Sequence, residues 1–391
     1  MEEIHNKLGS SLKSFVETEC GPIISLRRAG DGASRITWLI ETTSRKCVLR
    51  VDPGDGPVAG TVLNLRREAN VYRALEKTSI PIPKLIAERD DALLIEMAEG
   101  RPDLDYLPPE GRQQVMDAYI EVLGDLHSVE VDGAFQPIDP PMKPALAASH
   151  QVGIWEGIFR SRVKRSDPLA ILATRWLQNR APVDAERLVV CHGDPGPGNF
   201  MHDGVRVTAL LDWEFVHVGD PMDDLGWLAF RGHHFGDGAV DFHEQLRRWE
   251  SRTGLTVDAR RISYYRIVTM YEYLMCCLSA LDNNPRNRNR FTWLNLIDLL
   301  NVIMPRAMME YDQTAPPKVD SRLERRETDL SEHLEALIEL MKLSDGVGLP
   351  TPPAVERAAT QILELSRVRD SIADSGAAAA HNRMVLIVFP P

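Results

Sequence analysis

Cysteine is scarce in this chain: five in 391 residues, at Cys20, Cys47, Cys191, Cys276 and Cys277. No two form a Cys-x-x-Cys pair, and no Cys/His spacing matches a zinc site. An odd, scattered set points to reduced thiols in a cytoplasmic protein. Positive charge is also short. Lys and Arg number 45 against 57 Asp and Glu, giving a net charge of -12 and a pI of about 5.5. That argues against a general nucleic-acid binder, although it leaves room for a local basic site. Long apolar runs are missing too. The most apolar stretch, Tyr273 to Leu281, falls far short of the roughly 20 residues that span a bilayer. The first residues carry Glu2 and Glu3 and no apolar signal core. The expectation is a soluble, cytoplasmic protein with no membrane or nucleic-acid partner. No internal repeat is found.

What is present suits a folded chain of more than one domain. Hydrophobic residues make up 43% and charged residues 26%, enough for a sizeable core. The first hundred residues read as strands. Ile23 to Leu26, Ile36 to Glu41 and Cys47 to Val51 are rich in β-branched or apolar residues, and Leu93 to Met97 follows. Leu65, Ala69, Tyr72 and Leu75 recur at helical spacing and predict a helix over 65–75. Beyond Glu99-Gly100, a hinge, the pattern turns helical. Helices are expected over Gly111–His127, Pro168–Gln178, Val240–Arg252, Ile262–Leu281 and Thr292–Met309. Leu188–Val190 and Val205–Leu211 read as one small strand pair within them. Pro316-Pro317 marks a further boundary, after which Leu330–Leu343 and Val355–Val368 predict a helical extension. The fold class expected is α+β and bilobal, protein-kinase-like: a β-rich N-lobe over 1–98, a mainly helical C-lobe over 99–315 and a helical extension over 316–391.

Chemistry concentrates in Cys191-His192-Gly193-Asp194-Pro195-Gly196-Pro197-Gly198-Asn199. A strand delivers His192. Asp194 and Asn199 then sit in a Gly/Pro-rich loop that can be neither regular helix nor strand. The Asp-x4-Asn spacing matches the catalytic loop of protein kinases, where Asp takes the hydroxyl proton and Asn holds magnesium. Leu210-Leu211-Asp212-Trp213-Glu214 places a carboxylate at the end of an apolar strand, the hard oxygen donor that magnesium prefers.

His192-Gly193-Asp194-x4-Asn199, then Leu211-Asp212-Trp213-Glu214, then Gly219-Asp220-Pro221-x2-Asp224-Leu225 resembles the aminoglycoside/choline kinase-like phosphotransferase family. Arg67-Glu68, Ile80-Pro81-Ile82-Pro83, Leu94–Met97 and Leu123-Gly124-Asp125-Leu126-His127 occur in that family's order. The resemblance covers about residues 20 to 310. It implies a catalytic role for Asp194, with His192 beside it, and magnesium ligands in Asn199 and Asp212, with Glu214 as a third candidate. The nucleotide, ATP or GTP, would lie on Gly30, Gly32, Ser34, Arg50, Glu68, Glu96 and Met97. Gly30-Asp31-Gly32-Ala33-Ser34 offers a phosphate-covering turn. Arg50 departs from the family by standing where kinases carry lysine. It keeps the charge and adds a bidentate fork, and Glu68 is its expected partner.

Other readings stay open on the sequence. His192 can be a buried histidine that positions the loop. Asp220-Pro221-Met222-Asp223 is a good helix start with Asp as cap. Glu214 touches a second metal or is merely solvated. His233, His234 and His243 lack the carboxylates of a metal site, and the Tyr264–Met275 run suits core. Arg286, Arg288 and Arg290 beside Trp293 favour an anionic or neutral acceptor over a polycation if they face the pocket. The function expected is an ATP- or GTP-dependent, Mg2+-requiring kinase of a small hydroxyl compound. A nucleotide-binding pseudokinase scaffold using its tail, or a metal-dependent hydrolase, are the alternatives. The partners are a nucleoside triphosphate and the acceptor, and a homodimer is compatible with this.

Overall fold

The structure is a computed structural model that describes residues 8–29, 34–235, 241–284 and 289–312. Gly30, Gly32, Arg286, Arg288 and the helical extension expected over 316–391 lie outside the described residues.

Strands β1 (Ile23–Arg28), β2 (Ile36–Thr42), β3 (Lys46–Val51), β4 (Leu85–Arg89) and β5 (Ala92–Glu96) form an antiparallel sheet ordered β1-β2-β3-β5-β4. Helix α1 (Ser10–Cys20) closes one side of it. Val16 and Cys20 pack with Ile40, Cys47, Leu49 and Leu94 in a dry cluster. Strand periodicity sorts β3: Cys47, Leu49 and Val51 enter that cluster, so Arg50 between them faces the other way. There it meets α2 (Leu65–Leu75), which has the bounds that the spacing predicted. Asn64 starts α2 by accepting the Arg67 N–H at 3.1 Å. The helix buries Leu65, Ala69, Tyr72 and Leu75, and with them Arg67 and Glu68.

Between β3 and α2 the chain does more than connect. Val58 and Ala59 are buried, and the segment from Asp55 to Pro57 is tied to the helical region. The Arg162 guanidinium donates to the Gly56 carbonyl at 2.8 Å, and the Ser279 hydroxyl to the Pro57 carbonyl at 2.5 Å. The Asn284 amide reaches Asp55 at 2.6 Å. On its other side, a side chain at Gly56 would come within 2.7 Å of the Ser34 carbonyl.

The helical region comprises α3 (Pro109–Leu126), α4 (Ala147–Arg162), α5 (Pro168–Arg180), α6 (Met222–Phe235), α7 (Phe242–Thr253), α8 (Ala259–Asn283) and α9 (Arg290–Tyr311). The Tyr264–Met275 run lies within α8 and is largely buried, as a core helix should be. One expectation is corrected. The strands around the catalytic loop do not pair with each other. β6 (Val189–Cys191) pairs with β9 (His217–Gly219), and β7 (Phe200–His202) with β8 (Val207–Leu210). The reversals at Gly193 and at the left-handed residue Asp212 split what reads as one pair into two short ladders. Among the described residues, no helix is long and apolar enough to cross a membrane.

Candidate active site

The loop after β6 is held from behind by one carboxylate. Asp224 on α6 accepts the backbone N–H of His192 at 2.8 Å and of Gly193 at 2.9 Å. It also contacts His127 Nε2 at 2.9 Å. The Trp249 indole donates to His127 Nδ1 at 3.0 Å. Nδ1 therefore carries no proton, and Nε2–H is the donor to Asp224. Burial would raise the Asp224 carboxyl, but the His127 hydrogen bond and these amides outweigh it and hold it below the usual range. Gly193 has a φ of 86°, and any side chain there would overlap the Phe215 carbonyl.

His192 is fully buried and lies against the Trp213 ring at 4.7 Å between centroids. Its Nε2–H donates to the Leu211 carbonyl at 2.8 Å, and its Nδ1 lies 3.4 Å from the Asp194 N–H. Both ring nitrogens are thus spent on backbone atoms of the two segments that carry Asp194 and Asp212. That arrangement suits a brace better than a proton carrier.

Asn199 donates its amide N–H to the Asp194 carbonyl at 2.8 Å, which turns its amide oxygen toward other partners. Asp194 itself pairs with Arg231, from α6, at 3.0 Å. Burial raises the Asp194 carboxyl, Arg231 offsets part of this, and the nearby Asp212 charge adds to the rise. Asp212 sits at φ 60° and ψ 63°, a left-handed conformation uncommon for a residue with a side chain. Its carboxylate takes an Arg50 N–H at 2.6 Å. Arg50 Nε lies 3.2 Å from Glu68, which Arg35 approaches at 3.6 Å from the other side. Arg35 in turn reaches Asp52 at 3.1 Å. The result is a row of alternating charge, Asp52–Arg35–Glu68–Arg50–Asp212, whose three middle members are buried. Burial would raise Asp212, but the Arg50 charge and hydrogen bond hold it below the carboxylate range.

Glu214, in the short 3-10 turn after Asp212, is 8% exposed, and its Oε1 has no hydrogen-bond partner. Burial pushes its carboxyl up to about 7, against the pull of Arg35. Among the described residues no group of three or more His, Cys, Asp or Glu could cage a metal by itself. The set that does exist is the Asn199 amide oxygen, the Asp212 carboxylate and the orphaned Glu214 oxygen. These are hard donors, too few for a closed protein site. They fit a magnesium ion that completes its shell with phosphate and water.

The remaining expected positions are spread along the sheet. Ser34 is buried beside Gly56. Glu96 ends β5, its side chain half exposed and 3.5 Å from Arg45, and the Met97 N–H donates to the Lys46 carbonyl at 3.3 Å. The hinge beyond them is pinned by the Thr208 hydroxyl on the Glu99 carbonyl at 2.6 Å. Sequence reasoning passed over Arg231 and Arg35. It quoted Asp224 and His127 without a role. The signal for Arg231 was indirect: from His192 to Asn199 the loop contains no Lys or Arg.

The profile of the phosphotransferase enzyme family matches residues 25–260, more than half of the chain. The chain belongs to that family. The match takes in every site residue named above, from Ser34 to Arg231. The chain is similar to the mouse (Mus musculus) acyl-CoA dehydrogenase family member 10, with 27% identity over 229 residues. That alignment covers 55% of this chain and 21% of the mouse protein. The first curated relatives it matches are all much longer, and the chain spans 21% to 36% of their lengths. Among solved structures, one assigned as an aminoglycoside phosphotransferase from Ralstonia eutropha JMP134 superposes with a TM-score of 0.57. It is 22% identical and covers 77% of this chain and 96% of its own. The streptomycin–ATP–APH(2'')-IIa ternary complex has a TM-score of 0.53 and 18% identity, covering 73% of this chain and 93% of its own. At these identities the structures speak for the fold: a β-sheet N-terminal region followed by a helical one, the aminoglycoside-phosphotransferase variant of the protein-kinase-like fold.

Proposed function

We propose that this phosphotransferase moves the terminal phosphoryl group of ATP or GTP to a hydroxyl of a small molecule, with magnesium. The reading rests on one arrangement. Asp194, Asn199 and Asp212 lie together, close enough for the two carboxylates to sense each other, and Arg50 joins Asp212 to Glu68. In this reading the nucleotide lies on the sheet region to about residue 98 and the acceptor on the helical region that follows.

In this reading Asp194 accepts a hydrogen bond from the acceptor hydroxyl, orients it and takes its proton as the new bond forms. His192 keeps Asp194 and Asp212 in register through the backbone. Asn199 and Asp212 would hold magnesium, with Glu214 at its edge; the ion supplies charge neutralisation on the phosphates. Arg50 is then released from Asp212 to the phosphates, still anchored by Glu68. Ser34, Glu96 and Met97 line the side where the nucleotide would lie. The ATP in the similar APH(2'')-IIa complex supports a nucleotide in this fold, and its streptomycin a small hydroxyl-bearing acceptor. The acceptor of this chain is to be found by screening.

The test is a hydroxyl-compound screen for ADP or GDP release, run beside Asp194→Asn and Asp212→Asn. The expected result is compound-dependent turnover that both substitutions abolish. Nucleotide binding without turnover on any compound would instead support a nucleotide-binding scaffold. Neither binding nor turnover with either nucleotide would sink the proposal.

A further inference from the structure

Catalysis of phosphoryl transfer depends on where the groups sit and on the charge placed around the moving phosphoryl. On the nucleotide side, charge comes from Arg50. On the acceptor side, the catalytic loop has none of its own: His192-Gly193-Asp194-Pro195-Gly196-Pro197-Gly198-Asn199 contains no Lys or Arg. A cation is nevertheless there, supplied from 32 to 39 residues further along the chain by α6.

Arg231 makes two contacts with this loop. Its Nη1 donates to Asp194 Oδ1 at 3.0 Å, and its Nη2 donates to the Pro197 carbonyl at 2.6 Å. One planar guanidinium thus grips the base and the loop's backbone three residues on, the forked recognition that a lysine cannot make. The loop is shaped to admit it. Gly196 has a φ of 129°, and a side-chain carbon there would lie 3.2 Å from Arg231 Nε and 3.4 Å from its Cζ. The Arg231 side chain therefore passes close over bare backbone. Arg231 is anchored in turn, because α6 is the helix whose Asp224 ties down His192 and Gly193. The same helix fixes both ends of the stretch that presents Asp194. Phe230, next to Arg231, packs on Tyr273 of α8, which also packs on Trp227.

We propose that Arg231 is the positioning residue for the base, fixing one carboxylate oxygen of Asp194 so that the other meets the acceptor hydroxyl. The inference rests on the phosphotransfer reading above. In the step concerned, the acceptor oxygen bonds to the terminal phosphorus of the nucleoside triphosphate. The bond from that phosphorus to its bridging oxygen breaks, and the diphosphate leaves with the electron pair. The hydroxyl proton passes to the free oxygen of Asp194. Without Arg231 the carboxylate turns, and the hydroxyl is no longer held in line. Nucleotide binding, which depends on the sheet region, is untouched.

The experiment measures diphosphate release from Mg-ATP and Mg-GTP by the full chain, with water as acceptor, and with any acceptor the screen yields. Arg231→Ala is expected to lower kcat by about ten- to a hundredfold, with KM for the nucleotide within about twofold of wild type. Arg231→Lys should recover part of the loss, because it keeps the charge but not the second bond to Pro197. Thermal melting identifies a variant that has not folded; should Arg231→Ala be one, Arg231→Gln and Arg231→Lys decide the matter. Wild-type kcat in the folded variants, or a loss confined to KM, would show that Arg231 only packs the loop and would overturn the proposal. If Asp194→Asn and Asp212→Asn also retain full turnover, the fault lies instead with the phosphotransfer reading.

Discussion

Glu214 offers a measurement of the site before any substrate is known. It is 8% exposed, and one of its oxygens has no partner. Burial holds its carboxyl near 7, against an ordinary value of 4.5. The native state therefore keeps a proton that the unfolded chain gives up. Stability from this group is fully present below about pH 4.5 and is lost as pH rises through about 7. A gap of about 2.5 units between the two values corresponds to about 3 kcal/mol. Glu214→Gln has the same shape and no proton to lose. Urea unfolding of both proteins, in buffer free of magnesium and nucleotide, should give similar stabilities near pH 5. By pH 8 the variant should be more stable by about 2–3 kcal/mol. A difference that stays constant from pH 5 to pH 8 would refute the reasoning, and would mean that water reaches the orphaned oxygen.

Three further outcomes are expected. Asp224→Ala removes the acceptor of two backbone N–H groups and of His127, all buried; it should cost about 3–5 kcal/mol in urea unfolding, and a cost under about 1 kcal/mol would count against the brace. Arg50→Met leaves Glu68 with only the more distant Arg35 and frees Asp212. It should weaken Mg-nucleotide binding by about tenfold or more in calorimetric titration and lower the melting temperature. Gly193→Ala forces a side chain into the Phe215 carbonyl at a positive φ and should destabilise the chain by more than about 2 kcal/mol, read from the same unfolding curves.

The elements that the sequence displayed were those whose pattern is local. Leu65, Ala69, Tyr72 and Leu75 announce α2, because helical spacing and burial coincide there. β2 and β3 show themselves as short runs rich in β-branched and apolar residues. The Asp194-x4-Asn199 spacing and Asp212 stand out because a Gly/Pro-rich loop and a strand end leave little else for them to do. What stayed hidden was pairing across distance. Arg231 meets Asp194 over 37 residues, and His127 meets Asp224 over 97. No spacing rule joins such positions. α4 was passed over because Gly153 and Gly157 interrupt its pattern, although both are tolerated in the helix. β7 has three residues and takes its shape from its partner β8. His192 was read both as catalytic and as a brace. Its two backbone contacts, which no motif records, favour the brace.

The ties at Asp55, Gly56 and Pro57 have a mechanical meaning. A sheet joined to a helical body only through residues 97–101 could swing in many directions. Here it is joined a second time, by Arg162, Ser279 and Asn284. The Arg50–Asp212 pair, the Arg67 Nε–H on the Val216 carbonyl at 3.0 Å and the Leu210 N–H on the Pro81 carbonyl at 2.7 Å tie it again. Any movement of the sheet against the helical body must therefore stretch or break several polar contacts at once, which makes small displacements costly and the junction stiff.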